Sequence, residues 1–323
     1  MIKTALSLYD ELIRKEYLDN SAADFTVHQL GGYGINSANY KLDFPGMDYR
    51  PLHLKILHQW DNNLFDKLSI FDRCRRASVK TARLVKTKNG EYFVEGRDFV
   101  AVCFHYYDGQ PYTGNSNERI AAAQELGKLN TVLSEFDITI PRSSLYDSLT
   151  EQEISLIKQK CEGADEFRNM VSENLEWASK LSKELSVKFA AENSFQRLEH
   201  IDYHPDNVLI NNGRVAAIVD FDSICSVPTN QSVAFAADRF SSNAREMAEF
   251  IRAYRQTDPT LRIEQIKQIP ALIKWEALRR INYILRSYFF NNNSVWNDAF
   301  IQHIKIIKKT IAAEAEFLDL MKI

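Results

Sequence analysis

The chain has 323 residues, 45% apolar and 26% charged, with a formal net charge of −3. Those proportions belong to ordinary globular proteins and exclude the collagenous, low-complexity and disulfide-framework classes. Charges of both signs are interspersed, so neither a basic footprint for nucleic acid nor an acidic tail is present.

At roughly 100–200 residues per domain, the length allows two domains or one unit of two lobes. Cys74, Cys103, Cys161 and Cys225 lie far apart with no C-x-x-C pair, so reduced, buried thiols of a cytoplasmic protein are expected. The opening MIKTALSLYDELIRKEY lacks a continuous apolar run, and no stretch approaches the roughly 18 apolar residues of a membrane span. Neither membrane nor nucleic acid is expected as a partner.

Residues 25–57 carry β-rich runs punctuated by glycine: FTVHQLGGYGI, NSANYKLDF and LHLKIL. A helix is predicted from about Asp61 to Val79, with Leu64, Phe65, Leu68, Ile70, Phe71 and Cys74 on its apolar face. TARLVKT, a turn at Asn89-Gly90, EYFVEG and DFVAVCFHYY follow as strands. Together these predict a five-stranded sheet interrupted by one helix. Beyond Asn117 the pattern turns helical, near 117–135, 150–162, 165–190, 229–256, 263–289 and 296–321, with Pro270 at a helix start or kink. One β island interrupts it: NVLI, a tight turn at Asn211-Asn212-Gly213, and RVAAIVDF. A small β-rich lobe and a larger helical lobe are therefore expected, and a cleft between lobes is the default place for a ligand.

The richest segment is HIDYHPDNVLINNGRVAAIVDFDS, His200 to Ser223. Asp202 precedes Asn207 by five positions, and Asp220 lies thirteen beyond Asn207 at the far end of the hairpin. A hairpin brings its ends together, so Asn207 and Asp220 are expected side by side, with Asp202 on the preceding loop. Two oxygen donors beside a further carboxylate suit Mg²⁺, which keeps most of its shell for water and phosphate. His200, Asp202 and His204 also alternate, a pattern that on a strand could bind zinc for hydrolysis, although Pro205 marks a loop.

This segment resembles the catalytic loop and metal-binding hairpin of the aminoglycoside phosphotransferase and choline kinase family, small-molecule relatives of the protein kinases. The family loop H-G-D-x-H-P-x-N-x-L is matched by His200-Ile201-Asp202-Tyr203-His204-Pro205-Asp206-Asn207-Val208-Leu209, and its metal motif by Val219-Asp220-Phe221-Asp222. The resemblance implies a bilobal, protein-kinase-like α+β fold. Residues 1–104 would form an N-terminal ATP-binding lobe and 105–323 a C-terminal catalytic and substrate-binding lobe. It also implies that Asp202 accepts or orients the proton of the substrate hydroxyl, and that Asn207 and Asp220 hold Mg²⁺ on ATP.

Elsewhere the resemblance places Gly31, Gly32 and Gly34, with Asn36 and Ser37, at a turn that approaches phosphate. It gives Lys55 the contact with the α- and β-phosphates and makes Asp66 its acidic partner, with Asp72 as the fallback. The strand end from Phe104 to Tyr106 becomes the hinge that pairs with adenine. Leu126-Gly127-Lys128-Leu129 resembles a helix end at which Asn130 stands where histidine is common. Ile201 replaces a glycine, Asp222 replaces the glycine of D-F-G, and no A-P-E follows, which favours a small-molecule kinase over a protein kinase. A pseudokinase is the non-enzymatic alternative, yet each catalytic position is retained.

The implied activity is ATP- and Mg²⁺-dependent phosphorylation of a hydroxyl on a sugar, amino alcohol, hydroxy amino acid or aminoglycoside. Balanced charge in the helical part suits a neutral or anionic acceptor at least as well as a polycation. Arg239, Arg245, Arg252, Arg255, Arg279, Arg280 and Arg286 are expected mostly at the surface. Trp275, Tyr283, Tyr288 and Trp296, at helical spacing, are expected in the core rather than around a sugar.

Overall fold

The structure, a computed structural model, describes residues 11–18, 24–30, 37–162, 165–191 and 196–322. Its described residues divide into two compact units. One is the chain up to Pro111 together with Val208–Asp222; the other is Tyr112–Asn207 together with the residues from Ser223 onward.

In the first unit, β1 (Thr26–Leu30), β2 (Ser37–Asp43), β3 (Leu52–Leu57), β4 (Leu84–Val85), β5 (Val94–Glu95) and β6 (Val100–His105) form an antiparallel sheet. Its order is β1-β2-β3-β6-β4, with β5 also on β6. The strands number six rather than five, one on each of the six β-rich runs of the sequence; the two that flank Asn89-Gly90 are two residues long, and both pair with β6. Strand alternation explains the core: Leu52, Leu54 and Ile56 join Ile13, Tyr17, Leu42, Ala101 and Cys103 in one apolar cluster. His53 and Lys55 therefore face the opposite side of β3. Helix α1 (Leu64–Arg76) buries Leu64, Lys67, Leu68, Ile70, Phe71 and Cys74. The rings of Phe71, Phe104 and Phe221 meet with centroids 5.6–6.3 Å apart.

Strands β8 (Val208–Asn211) and β9 (Arg214–Ile218) form the expected hairpin. Asn212 and Gly213 have φ of 51° and 70°, the left-handed pair that a two-residue hairpin turn requires. The hairpin belongs to the first unit through main-chain bonds. Gln110 and Ile210 exchange N–H···O bonds of 2.8 and 2.9 Å, and Ala82 N donates to Ile218 O at 2.8 Å. The absence of a side chain at Gly109 permits this approach, since a Cβ there would lie 2.6 Å from Leu209 Cβ.

The second unit is helical: α2 (Ser116–Leu133), α3 (Glu151–Cys161), α4 (Glu166–Ala191), α5 (Gln231–Arg239), α6 (Ala244–Arg255), α7 (Ile263–Ile266), α8 (Ile269–Asn291) and α9 (Asn297–Leu320). It also holds the antiparallel pair β7 (Gln196–His200) and β10 (Ile224–Pro228). The helix expected over 229–256 is divided, because the Asn243 side chain accepts from Glu246 N at 3.0 Å and begins a new helix. Pro270 sits in the first turn of α8, where its missing N–H costs no helix bond. Among the described residues, no helix is long and apolar enough to cross a membrane, and the four cysteines are buried.

Candidate active site

In the second unit, β7 ends at His200, paired with Ile224 of β10, and Ile201 N donates to Ser223 O at 3.2 Å. The chain then turns, and Tyr203, fully buried, donates its hydroxyl proton to Ala122 O at 2.8 Å. Between these anchors Asp202 keeps 23% of its side chain exposed. Arg280 Nη2 donates to Asp202 Oδ1 at 2.9 Å and to Ile201 O at 3.1 Å. Asn207 Nδ2 donates to Asp202 O at 2.9 Å and lies 3.3 Å from Asp202 Oδ2. His204 Nε2 is 3.4 Å from that same Oδ2. Burial alone would raise the Asp202 carboxyl, but the Arg280 guanidinium, His204 and His200 outweigh it and hold the group well below the usual carboxylate range.

Arg280 is itself held by Glu276, one turn earlier on α8, which accepts from its Nε at 2.9 Å. Glu276, 1% exposed, also accepts from both Nη atoms of Arg142 at 2.7 and 2.8 Å and from Gln231 Nε2. Burial opposes the charge on Glu276, yet Arg142 and Arg280 bring its carboxyl down to about 2. Of the seven arginines expected mostly at the surface, Arg239, Arg245, Arg252 and Arg255 are exposed, whereas the Arg279, Arg280 and Arg286 side chains are 11%, 21% and 11% exposed. Trp275 is in the core as expected, stacked on Phe189 with centroids 4.8 Å apart. Neither Arg280 nor Glu276 was singled out as functional from the sequence. The available signal was Glu276-x-x-x-Arg280, an i, i+4 ion pair in which Glu276 is the one acidic residue of the helix.

In the first unit, Lys55 Nζ donates to Asp220 Oδ1 at 2.6 Å and to Asp222 Oδ2 at 2.7 Å. Asp220 has φ of 68°, a left-handed conformation uncommon for a non-glycine residue, at the end of the hairpin that presents both carboxylates. Burial opposes the Lys55 charge, but the two carboxylates raise its pKa above the ordinary value. The lysine's partners are thus the hairpin aspartates, and no bond joins it to Asp66, which lies half-buried on α1. Asp72 instead accepts from Arg76 and lies 3.4 Å from the Tyr92 hydroxyl. The α1 residue that does point inward is Lys67, whose Nζ donates to Asp222 O at 2.8 Å and to Asp61 Oδ2 at 2.7 Å.

His53, on the Lys55 face, stacks on Phe104 with centroids 5.9 Å apart. Burial and the Lys55 charge push its pKa down to about 4, so it is a neutral neighbour. Tyr106 N donates to Pro51 O at 2.9 Å, so the backbone donor expected for adenine is already bonded. Ser37 is half-buried and pairs with Leu57. Gly32, Gly34 and Asn36 lie outside the described residues.

The oxygen donors suit a hard cation. In the first unit Asp222 Oδ1 is buried without a hydrogen-bond partner; in the second the bonds of Asn207 to Asp202 and His204 use Nδ2 and leave its carbonyl oxygen out of them. Among the described residues no cluster of three or more His, Cys, Asp or Glu is arranged to hold a metal, which removes the support for zinc at His200, Asp202 and His204.

The family model described as "phosphotransferase enzyme family" matches residues 68–263, more than half of the chain. The chain belongs to this phosphotransferase family. No curated protein matches it by sequence. Among solved structures, this phosphotransferase is similar to a spectinomycin phosphotransferase in complex with ADP and spectinomycin, at 14% identity and a TM-score of 0.66, covering 95% of this chain and 97% of that one. It is similar also to an amicoumacin kinase bound to AMP-PNP and Ca²⁺, at 14% identity and a TM-score of 0.65, covering 98% and 96%. A choline kinase from Cryptosporidium parvum Iowa II matches at 13% identity and a TM-score of 0.60, covering 98% and 99%. At such identities the likeness shows the shared kinase-like fold, with a β-sheet N-terminal region and a helical C-terminal region.

Proposed function

We propose that the chain transfers the γ-phosphoryl group of ATP to a hydroxyl of a small molecule in the cytoplasm, with the nucleotide bound mainly by the N-terminal region. The observation that carries this reading is Asp202, a partly exposed carboxylate kept ionised and fixed by Arg280, Asn207 and His204. A carboxyl of such low pKa is a weak base. It acts by aligning the acceptor hydroxyl and drawing its proton as the oxygen gives electron density to phosphorus, the requirement of a loose phosphoryl-transfer transition state.

Lys55 is the cation for the phosphates, with Gly32, Gly34, Asn36 and Ser37 as the backbone cradle, and Phe104 to Tyr106 as the edge for the base. Asn207 and Asp220 are the Mg²⁺ ligands; the ion, when bound, neutralises charge on the phosphates. Bound to ATP, Lys55 exchanges an aspartate oxygen for phosphate oxygens of the same charge sign, and Asp66 remains a candidate for pairing with it in that state.

The test is ATP consumption across aminoglycosides, sugars, amino alcohols and hydroxy amino acids, with and without Mg²⁺. Turnover should require Mg²⁺ and fall about 10²–10⁴-fold in Asp202→Asn. Full turnover by that variant would remove Asp202 from the reaction, and nucleotide binding without turnover of any acceptor would make the chain a pseudokinase.

A further inference from the structure

Arg279 follows Arg280 on α8, and its guanidinium lies 4.9 Å from the centroid of the Trp275 ring. Only 11% of its side chain is exposed, yet its one ion pair among the described residues is with Asp147 at 4.0 Å, and Asp147 is itself 65% exposed. No hydrogen bond within the described residues satisfies its donors. No nitrogen of Arg279 is among the buried polar atoms without a partner, so its donors remain open to solvent, where an acceptor group can reach them, and an exposed partner at 4.0 Å holds the guanidinium only weakly.

The neighbouring cations are already committed. Arg280 is used by Asp202, Ile201 O and Glu276, and Arg142 by Glu276. Two carboxylates, Asp202 and Glu276, thus answer Arg142 and Arg280, and Arg279 is left with the exposed Asp147. Two groups register the same positive field. Burial and Arg142 lower Arg279 to about 10 despite Glu276 and Asp147. Burial, Arg280 and Arg239 push His303 down to about 3, and its Nδ1 is buried with no partner among the described residues.

The geometry points to an acceptor that carries an anionic group, carboxylate or phosphate, bound by Arg279 while its hydroxyl is held at Asp202. This specifies the acceptor class for the phosphotransferase reading and rests on it. A guanidinium offers two parallel donors that match either anion. A polycationic acceptor would meet like charge at the same place, and such a meeting discriminates strongly between ligands.

Binding of matched probes separates the possibilities, followed by tryptophan fluorescence because Trp275 touches Arg279. The first set is glycerate, glycerol 3-phosphate, glycerol and serinol; the second is glucuronate, glucose 6-phosphate, glucose and glucosamine. In at least one set an anion should bind about tenfold or more tightly than its neutral and cationic counterparts, the two anions showing whether carboxylate or phosphate is preferred. Arg279→Gln should remove that preference, Arg279→Lys should retain part of it, and Asp147→Asn, at an exposed position, should tighten anion binding.

Equal binding of neutral or cationic probes, anion binding unchanged in Arg279→Gln, or no anion binding up to about 10 mM would each overturn the proposal. ATP consumption is measured on the same probes. Arg279-dependent anion binding without phosphoryl transfer would count against the kinase reading alone, whereas turnover confined to cationic acceptors would uphold the kinase and refute the anionic acceptor.

Discussion

Glu276→Gln keeps the size of the side chain and removes its charge, so it isolates what the buried carboxylate does. In the native protein that group accepts three guanidinium bonds of 2.7–2.9 Å from Arg142 and Arg280. Lowering its carboxyl from the ordinary 4.5 to about 2 corresponds to about 3 kcal/mol of stability at neutral pH, at roughly 1.4 kcal/mol per pH unit. Breaking one partner of a buried ion pair costs about 3–5 kcal/mol by general experience, so the two routes agree. The carboxyl is depressed in the folded state. Its contribution is therefore complete above the unfolded pKa, near ~4.3, and is lost as pH falls towards about 2. Urea unfolding should show Glu276→Gln less stable by about 3 kcal/mol at pH 7 and by about 1–1.5 kcal/mol at pH 3. A gap below about 1 kcal/mol at pH 7, or one of equal size at both pH values, would refute the assignment of charge to this residue.

Three further outcomes follow from the geometry. Lys55→Ala should weaken ATP binding about 10–100-fold by calorimetry, the loss of charge-assisted bonds to phosphate, with an unchanged far-ultraviolet circular dichroism spectrum; unaltered affinity would place the phosphates elsewhere. Asp220→Ala should abolish the Mg²⁺ dependence of nucleotide binding in the same experiment, and a retained dependence would remove it from the metal site. Gly127→Ala would put a Cβ 2.2 Å from Thr257 Oγ1 and 2.8 Å from Tyr254 O, so α2 and α6 must separate at a cost of about 1–3 kcal/mol. Thermal unfolding should fall by about 3–8 °C, and an unshifted midpoint would show that the helices accommodate the methyl group.

Local chemistry was legible in the sequence, and so were features fixed by a few consecutive residues. Asn211-Asn212-Gly213 announces its hairpin because only φ-positive residues fit that turn, and Pro270 announces a helix start. The family and the kinase-like fold were legible through residues 200–223. The partners of charged groups were not, because they are set by tertiary packing. Lys55 meets aspartates 165 and 167 positions away, and Asp202 meets an arginine 78 positions away. On α1 the outcome turns on one residue of helical phase, about 100° of rotation: Lys67 is buried where Asp66 was expected to reach inward. The arginines of α8 look like surface charges in sequence because burial of a guanidinium depends on a carboxylate such as Glu276 being enclosed beside it. Division of the 229–256 helix was written in Asn243, an N-cap signal masked by apolar periodicity on both sides.

The assignment of Val208–Asp222 to the first unit bears on how the chain is made. On the ribosome, residues up to Pro111 emerge long before the hairpin that pairs with Gln110 and Ala82. The first unit therefore cannot complete its hydrogen bonding until residue 222 has emerged, by which time Tyr112–Asn207 has emerged before it. A single cut at Pro111 would likewise separate Lys55 from both of its carboxylates. Domains of this discontinuous kind close over long sequence separations and fold slowly for that reason, so N-terminal fragments should be prime clients for chaperones.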